Sequence, residues 1–260
     1  MLKAAEPKDI TAIDSFLGNG IIPMRIRSYM LAYGFDKEFV RFWISENGEI
    51  IDGVIALFEN SLLLYVDITA ETAEITEITA FISMLRFTTL SCEKETAEMC
   101  GFKVFAEKQG YVFNGVSDGY SAENIDEDKI RDAYTLICES IPDSFSKDKS
   151  AYLSFLSDYT YRNRRNLSRG KCITEGEKLV SCAFTSAETE SEALLSGVAT
   201  DSNLRKGGYG KRTVLSLVNE LLNYNKTPYV IALNDSAKSF YEHIGFKKDK
   251  IIVYANRKDI

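Results

Sequence analysis

A single histidine, His243, serves all 260 residues. A histidine-ligated metal site or a nucleophile–histidine–acid triad is therefore not expected. Cysteine offers little more: Cys92, Cys100, Cys138, Cys172 and Cys182 are odd in number, scattered and without metal-ligand spacing. They read as reduced thiols of a cytoplasmic protein, and no metal is expected. No apolar run approaches the ~18 residues that a membrane span needs. The opening stretch MLKAAEPKDITAIDSFL has none of the charged start, apolar middle and small-residue cleavage site of a secretory signal. Positive charge is short as well, with 31 Lys+Arg against 38 Asp+Glu, a net −7. Nucleic acid and membrane are thus not the expected partners.

What is present is ordinary globular material, 45% apolar and 27% charged. Its length suits one large domain or two average ones, at ~150 residues per domain. Charge divides unevenly: residues 1–125 hold 10 Lys+Arg against 19 Asp+Glu, and residues 126–260 hold 21 against 19. Chemistry that faces anions is expected in the second part. A weak repeat supports two units. FWISENGEIIDGVIALF (42–58) reads as a hairpin turning at Glu46-Asn47-Gly48, and KCITEGEKLVSCAFT (171–185) as one turning at Glu175-Gly176. TAEMCGFKVF (96–105) and YEHIGFKKD (241–249) each read as a helix stopped by glycine, then a strand, around Gly101-Phe102 and Gly245-Phe246. Such junctions are common, so coincidence is the competing reading; shared order and spacing favour duplication. The polar, acidic stretch at 113–130 is the expected linker. It divides the chain at about residue 122 into domains 1–122 and 123–260, with a helix in DEDKIRDAYTLICESI opening the second.

The second domain carries the clearest motif. EALLSGVAT (192–200) reads as a strand and DSNLRKGGYG (201–210) as a loop. A helix follows, with Val214, Leu217, Val218, Leu221 and Leu222 on one face. A glycine loop in that position aims backbone N–H groups at an anion over the helix N-terminus. Gly207, Gly208 and Gly210 allow close approach and positive φ. Arg205, Lys206, Lys211 and Arg212 add positive charge, so the loop suits phosphate. A Walker loop would need glycine at Arg205 and Ser or Thr at Arg212; a dinucleotide fingerprint would need glycine at Thr213.

What fits is Arg-x-x-Gly-x-Gly at 205–210, directly after a strand. One helix and one strand later comes Asn-x-x-Ala-x-x-x-Tyr at Asn234, Ala237 and Tyr241. With both elements in this order, the chain resembles the GNAT N-acetyltransferase superfamily over roughly residues 130–260. The resemblance implies an α+β fold, the GNAT acyl-CoA N-acyltransferase fold, with a mixed sheet that splays between EALLSGVAT and PYVIAL. Backbone groups of Val198, Ala199 and Thr200 would bond the pantetheine arm of coenzyme A, and one N–H there would stabilise a developing oxyanion. The diphosphate would lie on Arg205, Lys206, Gly207, Gly208, Tyr209 and Gly210, with Lys211 at the helix start; Tyr209 packs beside the loop. Tyr241 would protonate the leaving thiolate as a general acid, against the alternative of a core aromatic. Asn234 either bonds the pantetheine or caps the following helix, and Ala237 is small because the coenzyme passes close. For the base, Glu192 stands at the strand start, although the superfamily's usual position aligns nearer Leu194. Glu188, Glu190 and solvent are alternatives. His243 is expected to be exposed.

Two further features belong to this reading. YRNRRNLSRGK (161–171) concentrates Arg162, Arg164, Arg165, Arg169 and Lys171, either as a solvated face or for an acceptor carboxylate or the ribose phosphate. In the first half the matching loop, DITAETAEITEITAFISML, has no glycine and several carboxylates. The tyrosine position falls at Ala97 and the asparagine position at Leu90. The expectation is therefore two tandem GNAT copies, the N-terminal one degenerate and without a coenzyme site. The whole reads as an N-acetyltransferase moving an acetyl group from acetyl-CoA to a primary amine of a small molecule or amino acid. The alternative is a non-catalytic acyl-CoA-binding sensor or scaffold. A monomer with an internal pseudo-dimer, or a homodimer, is expected.

Overall fold

The computed structural model describes residues 1–48, 50–70, 72–117, 119–142 and 144–260, and the side chains of all of these except 72 and 259. The chain begins β1 (Leu2–Ala4), α1 (Ile10–Phe16), α2 (Ile21–Tyr33), β2 (Val40–Asn47), β3 (Ile50–Phe58) and β4 (Ser61–Val66). It continues α3 (Thr72–Met84), β5 (Thr89–Glu93), α4 (Lys94–Cys100) and β6 (Val104–Phe113). Then follow β7 (Glu123–Asn124), α5 (Ile130–Ser140), α6 (Lys149–Asn163), β8 (Gly170–Glu175) and β9 (Lys178–Glu188). Last come β10 (Glu192–Thr200), α7 (Tyr209–Asn223), β11 (Thr227–Ala232), α8 (Asp235–His243) and β12 (Phe246–Asn256). Two compact units result. One holds Met1–Gly110, Ile231–Asp235 and Lys248–Ile260; the other holds Tyr111–Val230 and Ser236–Lys247. No described helix is long and apolar enough to cross a membrane.

In the first unit β1 to β4 pair antiparallel in succession and β5 joins β4 in parallel. The end of β12 completes the run, antiparallel to β5 from Ile252 opposite Glu93 to Asn256 opposite Thr89. The β2–β3 hairpin turns through Gly48 at φ +66°, where glycine avoids the Cβ clash of the left-handed region. α3 presents Ile75, Ile78 and Ile82 at helical spacing to Leu62, Leu64, Leu90 and Cys92, forming the core on one face.

In the second unit β7 to β10 pair antiparallel and β11 joins β10 in parallel. Residues of β9 alternate between faces, as a strand requires. Cys182 and Phe184 turn to a core with Ile130, Ala133 and Ile137 of α5 and Tyr159 of α6. Ser181 turns the other way and accepts a hydrogen bond from Thr213 of α7 at 2.9 Å. α7 packs along β8, β9 and β10 through the fully buried Val214, Leu217, Val218 and Leu221. Those four burials match the helical periodicity of the sequence.

Candidate functional site

The site begins where a ladder stops. β10 pairs with β11 only over Glu192–Leu195, opposite Thr227–Val230, although β10 runs on to Thr200. Beyond Leu195 that edge of β10 has no strand partner among the described residues. On its other edge the pairing with β9 slips between Leu194 and Leu195 and again between Ser196 and Ala199. The second slip is a bulge through Gly197 and Val198, with Gly197 at φ +57°. A Cβ on Gly197 would also stand 2.9 Å from Ile137 Cδ1, so glycine is demanded twice there. The strand alternation that places Glu192, Leu194, Ser196 and Val198 on one face therefore fails at the bulge. Val198 is part of the bulge and Ala199 and Thr200 follow it, all three in the stretch of β10 beyond its pairing with β11.

The loop after Thr200 is drawn in by its own side chains. Asp201 accepts from the Asn203 N–H at 2.9 Å and pairs with Lys178, whose ammonium holds its carboxyl below the usual range. Lys206 and Gly208 then take positive φ, +68° and +85°. Of the three glycines of the loop, Gly208 is the one that uses positive φ. Gly207 and Gly210 serve close approach instead: added Cβ atoms would lie 3.0 Å from the Leu204 carbonyl oxygen and 3.0 Å from Thr200 Oγ1. α7 starts at Tyr209, two residues ahead of Lys211. Its first intrahelical bond is Arg212 N–H to the Gly208 carbonyl at 3.0 Å. The N–H groups of Tyr209, Gly210 and Lys211 are left without intrahelical acceptors at the positive end of the helix.

Side-chain charge gathers at the same mouth. Arg205, Lys206 and Arg212 are exposed, and Arg205 Nε reaches only the Thr200 carbonyl at 3.5 Å. Lys211 Nζ stands 5.7 Å over the Tyr120 ring. None of the four pairs with a carboxylate among the described residues. The basic run at 161–171 is different. Arg162 pairs with Asp158, Arg164 with Glu127 at 3.4 Å, Arg169 with Glu188 at 2.9 Å and Lys171 with Glu220 at 2.7 Å. Arg165 lies 3.7 Å over the Tyr161 ring. Arg162, Arg169 and Lys171 are thus held within the fold, while Arg164 and Arg165 remain on a solvated face. Tyr209 donates its hydroxyl to Glu175 of the β8–β9 turn.

Tyr241 of α8 is 6% exposed, with its ring against Phe240, Phe246 and Tyr111 at centroid distances of 5.3, 5.5 and 6.3 Å. Burial pushes its phenol well above the ordinary value, so the proton stays on. The hydroxyl makes no hydrogen bond among the described residues. The neighbouring Glu242 accepts from Tyr111 at 3.0 Å. Ala237 lies on α8, half-buried; Asn234 directly precedes that helix and is exposed, as is His243. Glu192 is 3% exposed, and its backbone is tied to Thr189 at 2.9 and 3.0 Å. Glu188 is fully buried and held by Arg169, by Lys226 at 2.7 Å and by Thr185 at 2.6 Å. Two residues escaped the sequence reading. Gly197 was legible as a glycine inside a strand; Tyr120 had no local signal.

In the first unit the corresponding connection from β4 to α3 is closed by its own acid. Asp67 accepts from the Thr69 N–H and Thr69 hydroxyl, both at 2.8 Å. Residue 71 of that segment lies outside the described ones.

Comparison with known proteins follows the same line. Residues 174–255 match the family model described as FR47-like protein. No curated protein sequence matches the chain. Over its whole length the chain is similar in structure to an acetyltransferase of the GNAT family from Colwellia psychrerythraea, with a TM-score of 0.65 at 14% identity, covering 98% of this chain and 99% of that one. It is similar also to a tandem GNAT protein from the clavulanic acid biosynthesis pathway, with a TM-score of 0.62 at 13% identity, covering 99% and 98%. A GCN5-related N-acetyltransferase from Sphaerobacter thermophilus gives 0.61 at 13% identity, covering 98% and 94%. The chain thus has the mixed-sheet α+β fold of the GNAT superfamily, and it carries the FR47-like sequence pattern across the strand, glycine loop, helix and tyrosine described above.

Proposed function

We propose that this protein is an N-acetyltransferase that takes an acetyl group from acetyl-CoA to a primary amine, with its coenzyme site in the second unit. The observation that carries the reading is the edge of β10 past Leu195, unpaired among the described residues, running straight into a helix N-terminus without a side-chain cap, beside Arg205, Lys206, Lys211 and Arg212, none of which forms an ion pair with a described carboxylate. The residues fit the coenzyme. Its arm needs backbone partners, which the open edge at Val198, Ala199 and Thr200 supplies. Its diphosphate needs close-packed N–H groups, and glycines at 207, 208 and 210 leave them uncovered. The first copy, residues 1–122 in this reading, is degenerate: at the matching connection Asp67 already holds the amide and hydroxyl of Thr69.

When bound, the thioester supplies an activated acyl carbon and a thiolate leaving group. The chain's part is orientation and proton movement. Main-chain N–H groups beside the bulge would hold the carbonyl oxygen and favour the charge that grows on it. Tyr241 Oη, kept protonated by burial, would give its proton to the leaving sulfur. Ala237 flanks the path of the arm in this reading. The ammonium of the acceptor must lose a proton first. Glu192, at the start of the same strand, is the carboxylate assigned to receive it, through water. An assay of thiol release from acetyl-CoA against a panel of amines and amino acids tests the reading. Release with at least one amine supports it; tight coenzyme binding with no turnover on any amine favours a sensor or scaffold; no coenzyme binding removes both.

A further inference from the structure

We infer that Tyr120 and Lys211 form the nucleotide end of the coenzyme site, Tyr120 stacking the adenine and Lys211 holding the ribose 3′-phosphate, so that the protein selects the free coenzyme A thioester over carriers lacking that nucleotide. The inference rests on the proposed coenzyme A reading and extends it to the donor's far end. Lys211 is the third residue of α7, in the same first turn as the N–H groups assigned to the diphosphate. In a protein of net charge −7 its ammonium has found no described carboxylate; it stands over an aromatic face instead. Cation and ring together present what a phosphorylated nucleoside needs: a π surface for the base and an ammonium for the phosphate.

Tyr120 is placed there by design of the chain and not by chance of a loose loop. On one side of it the buried Ser117 donates its hydroxyl to the Leu215 carbonyl at 3.0 Å. On the other side the Ala122 N–H donates to Ser216 Oγ at 3.0 Å. Both tethers end on α7, the helix that carries Lys211. Gly119, at φ +78°, bends the chain just before the tyrosine. The ring is half-buried, takes part in no aromatic pair, and its hydroxyl bonds no described residue. A half-buried aromatic held over a helix mouth, with one face toward a lysine, is a stacking platform without a base on it.

Isothermal titration of the wild type, Tyr120→Ala, Tyr120→Phe and Lys211→Met with three probes tests this. The probes are coenzyme A, dephospho-coenzyme A, which lacks only the 3′-phosphate, and 4′-phosphopantetheine, which lacks the nucleoside. Tyr120→Ala should weaken coenzyme A roughly five- to a hundredfold, the scale of one base–aromatic stack, and leave phosphopantetheine unchanged. Tyr120→Phe, which keeps the ring, should bind as wild type. Lys211→Met should erase the preference for coenzyme A over dephospho-coenzyme A. Equal binding of coenzyme A by wild type and Tyr120→Ala, or equal loss for all three probes, overturns the role of Tyr120. A preference retained by Lys211→Met overturns that of Lys211. A wild type that binds none of the probes instead removes the coenzyme reading itself.

Discussion

Gly210 lies close against Thr200: a Cβ on Gly210 would stand 3.0 Å from Thr200 Oγ1, tighter than ordinary contact, with Phe240 at 3.7 Å behind it. The first turn of α7 is thereby seated on the end of β10. The Thr200 hydroxyl is also engaged with Ser181 at 3.1 Å, which limits its room to move. Gly210→Val is expected to destabilise the fold by about 1–3 kcal/mol, as overpacking does, and, on the coenzyme reading proposed above, to weaken coenzyme binding by displacing the helix N-terminus. Urea unfolding and coenzyme titration of the variant check both effects; wild-type values in both would mean the contact is soft.

Gly208→Asp should be harsher for binding than for folding. Gly208 sits at φ +85°, a region that Asp tolerates at a cost of about 1–2 kcal/mol. Its carboxylate would stand beside the N–H groups meant for a diphosphate. Coenzyme affinity is expected to fall more than about a hundredfold, two decades being only ~2.7 kcal/mol. Retained affinity would disprove the loop assignment.

Tyr241→Phe should lower kcat by roughly 10²-fold or more, the usual scale of a general acid, while coenzyme affinity is kept. The sign of the pH effect follows from burial. A raised phenol pKa keeps the acid form present to higher pH, so kcat in the wild type should not fall through loss of this proton below pH ~10. A pH–rate profile of both proteins tests this; unchanged turnover in Tyr241→Phe would take the tyrosine out of the mechanism.

Glu188 makes a stability prediction. It is fully buried, and Arg169 and Lys226 balance it; Arg169 also reaches Glu220 at 3.0 Å and lies 4.6 Å over the Tyr224 ring. Arg169→Ala leaves two carboxylates short of a partner and removes a stacked surface. A loss of about 3–5 kcal/mol is expected, typical of breaking a buried pair from one side. Chemical denaturation measures it, and a loss under ~1 kcal/mol would place the network among surface pairs.

Asp52 points the other way. Both its carboxylate oxygens are buried without a partner among the described residues, and Ser45 beside it lies outside hydrogen-bonding geometry. Burial pushes its carboxyl above the usual range, and Glu74 adds to the effect. The folded state then holds this proton more tightly than the unfolded chain does. Stability from this group is complete below the unfolded value of ~3.9 and is lost as pH rises through the folded one. Asp52→Asn should therefore melt a few degrees above wild type at pH 7, with the gain gone near pH 4. A gain equal at both pH values would show that ionisation is not the cause.

Much of this site was legible beforehand because its signals are local. Arg205, the three glycines and the period of Val214, Leu217, Val218 and Leu221 lie within 17 residues of sequence. Backbone freedom and helical spacing need no knowledge of distant residues. Tyr120 was not legible, because its meaning comes from Lys211, some ninety positions on. The basic run at 161–171 was legible as charge but not as pairing, since its partners Asp158, Glu127, Glu188 and Glu220 are chosen by the folded register.

By itself the sequence determined the strand at 192–200, the glycine loop after it and the helix that follows, and that basic charge would sit at residues 205–212. Those properties follow from torsional freedom and periodicity within a few turns of chain. The first half's DITAETAEITEITAFISML, read as a loop, is mostly the helix α3. Tertiary structure alone decided that β10 parts from β11 after Leu195, that the bulge falls at Gly197, and that residues 248–260 join the unit begun by Met1. Strand partners and the exact residue at which they part are selected by packing between segments far apart in sequence, which the glycine at 197 and the expected splay of the sheet did not fix.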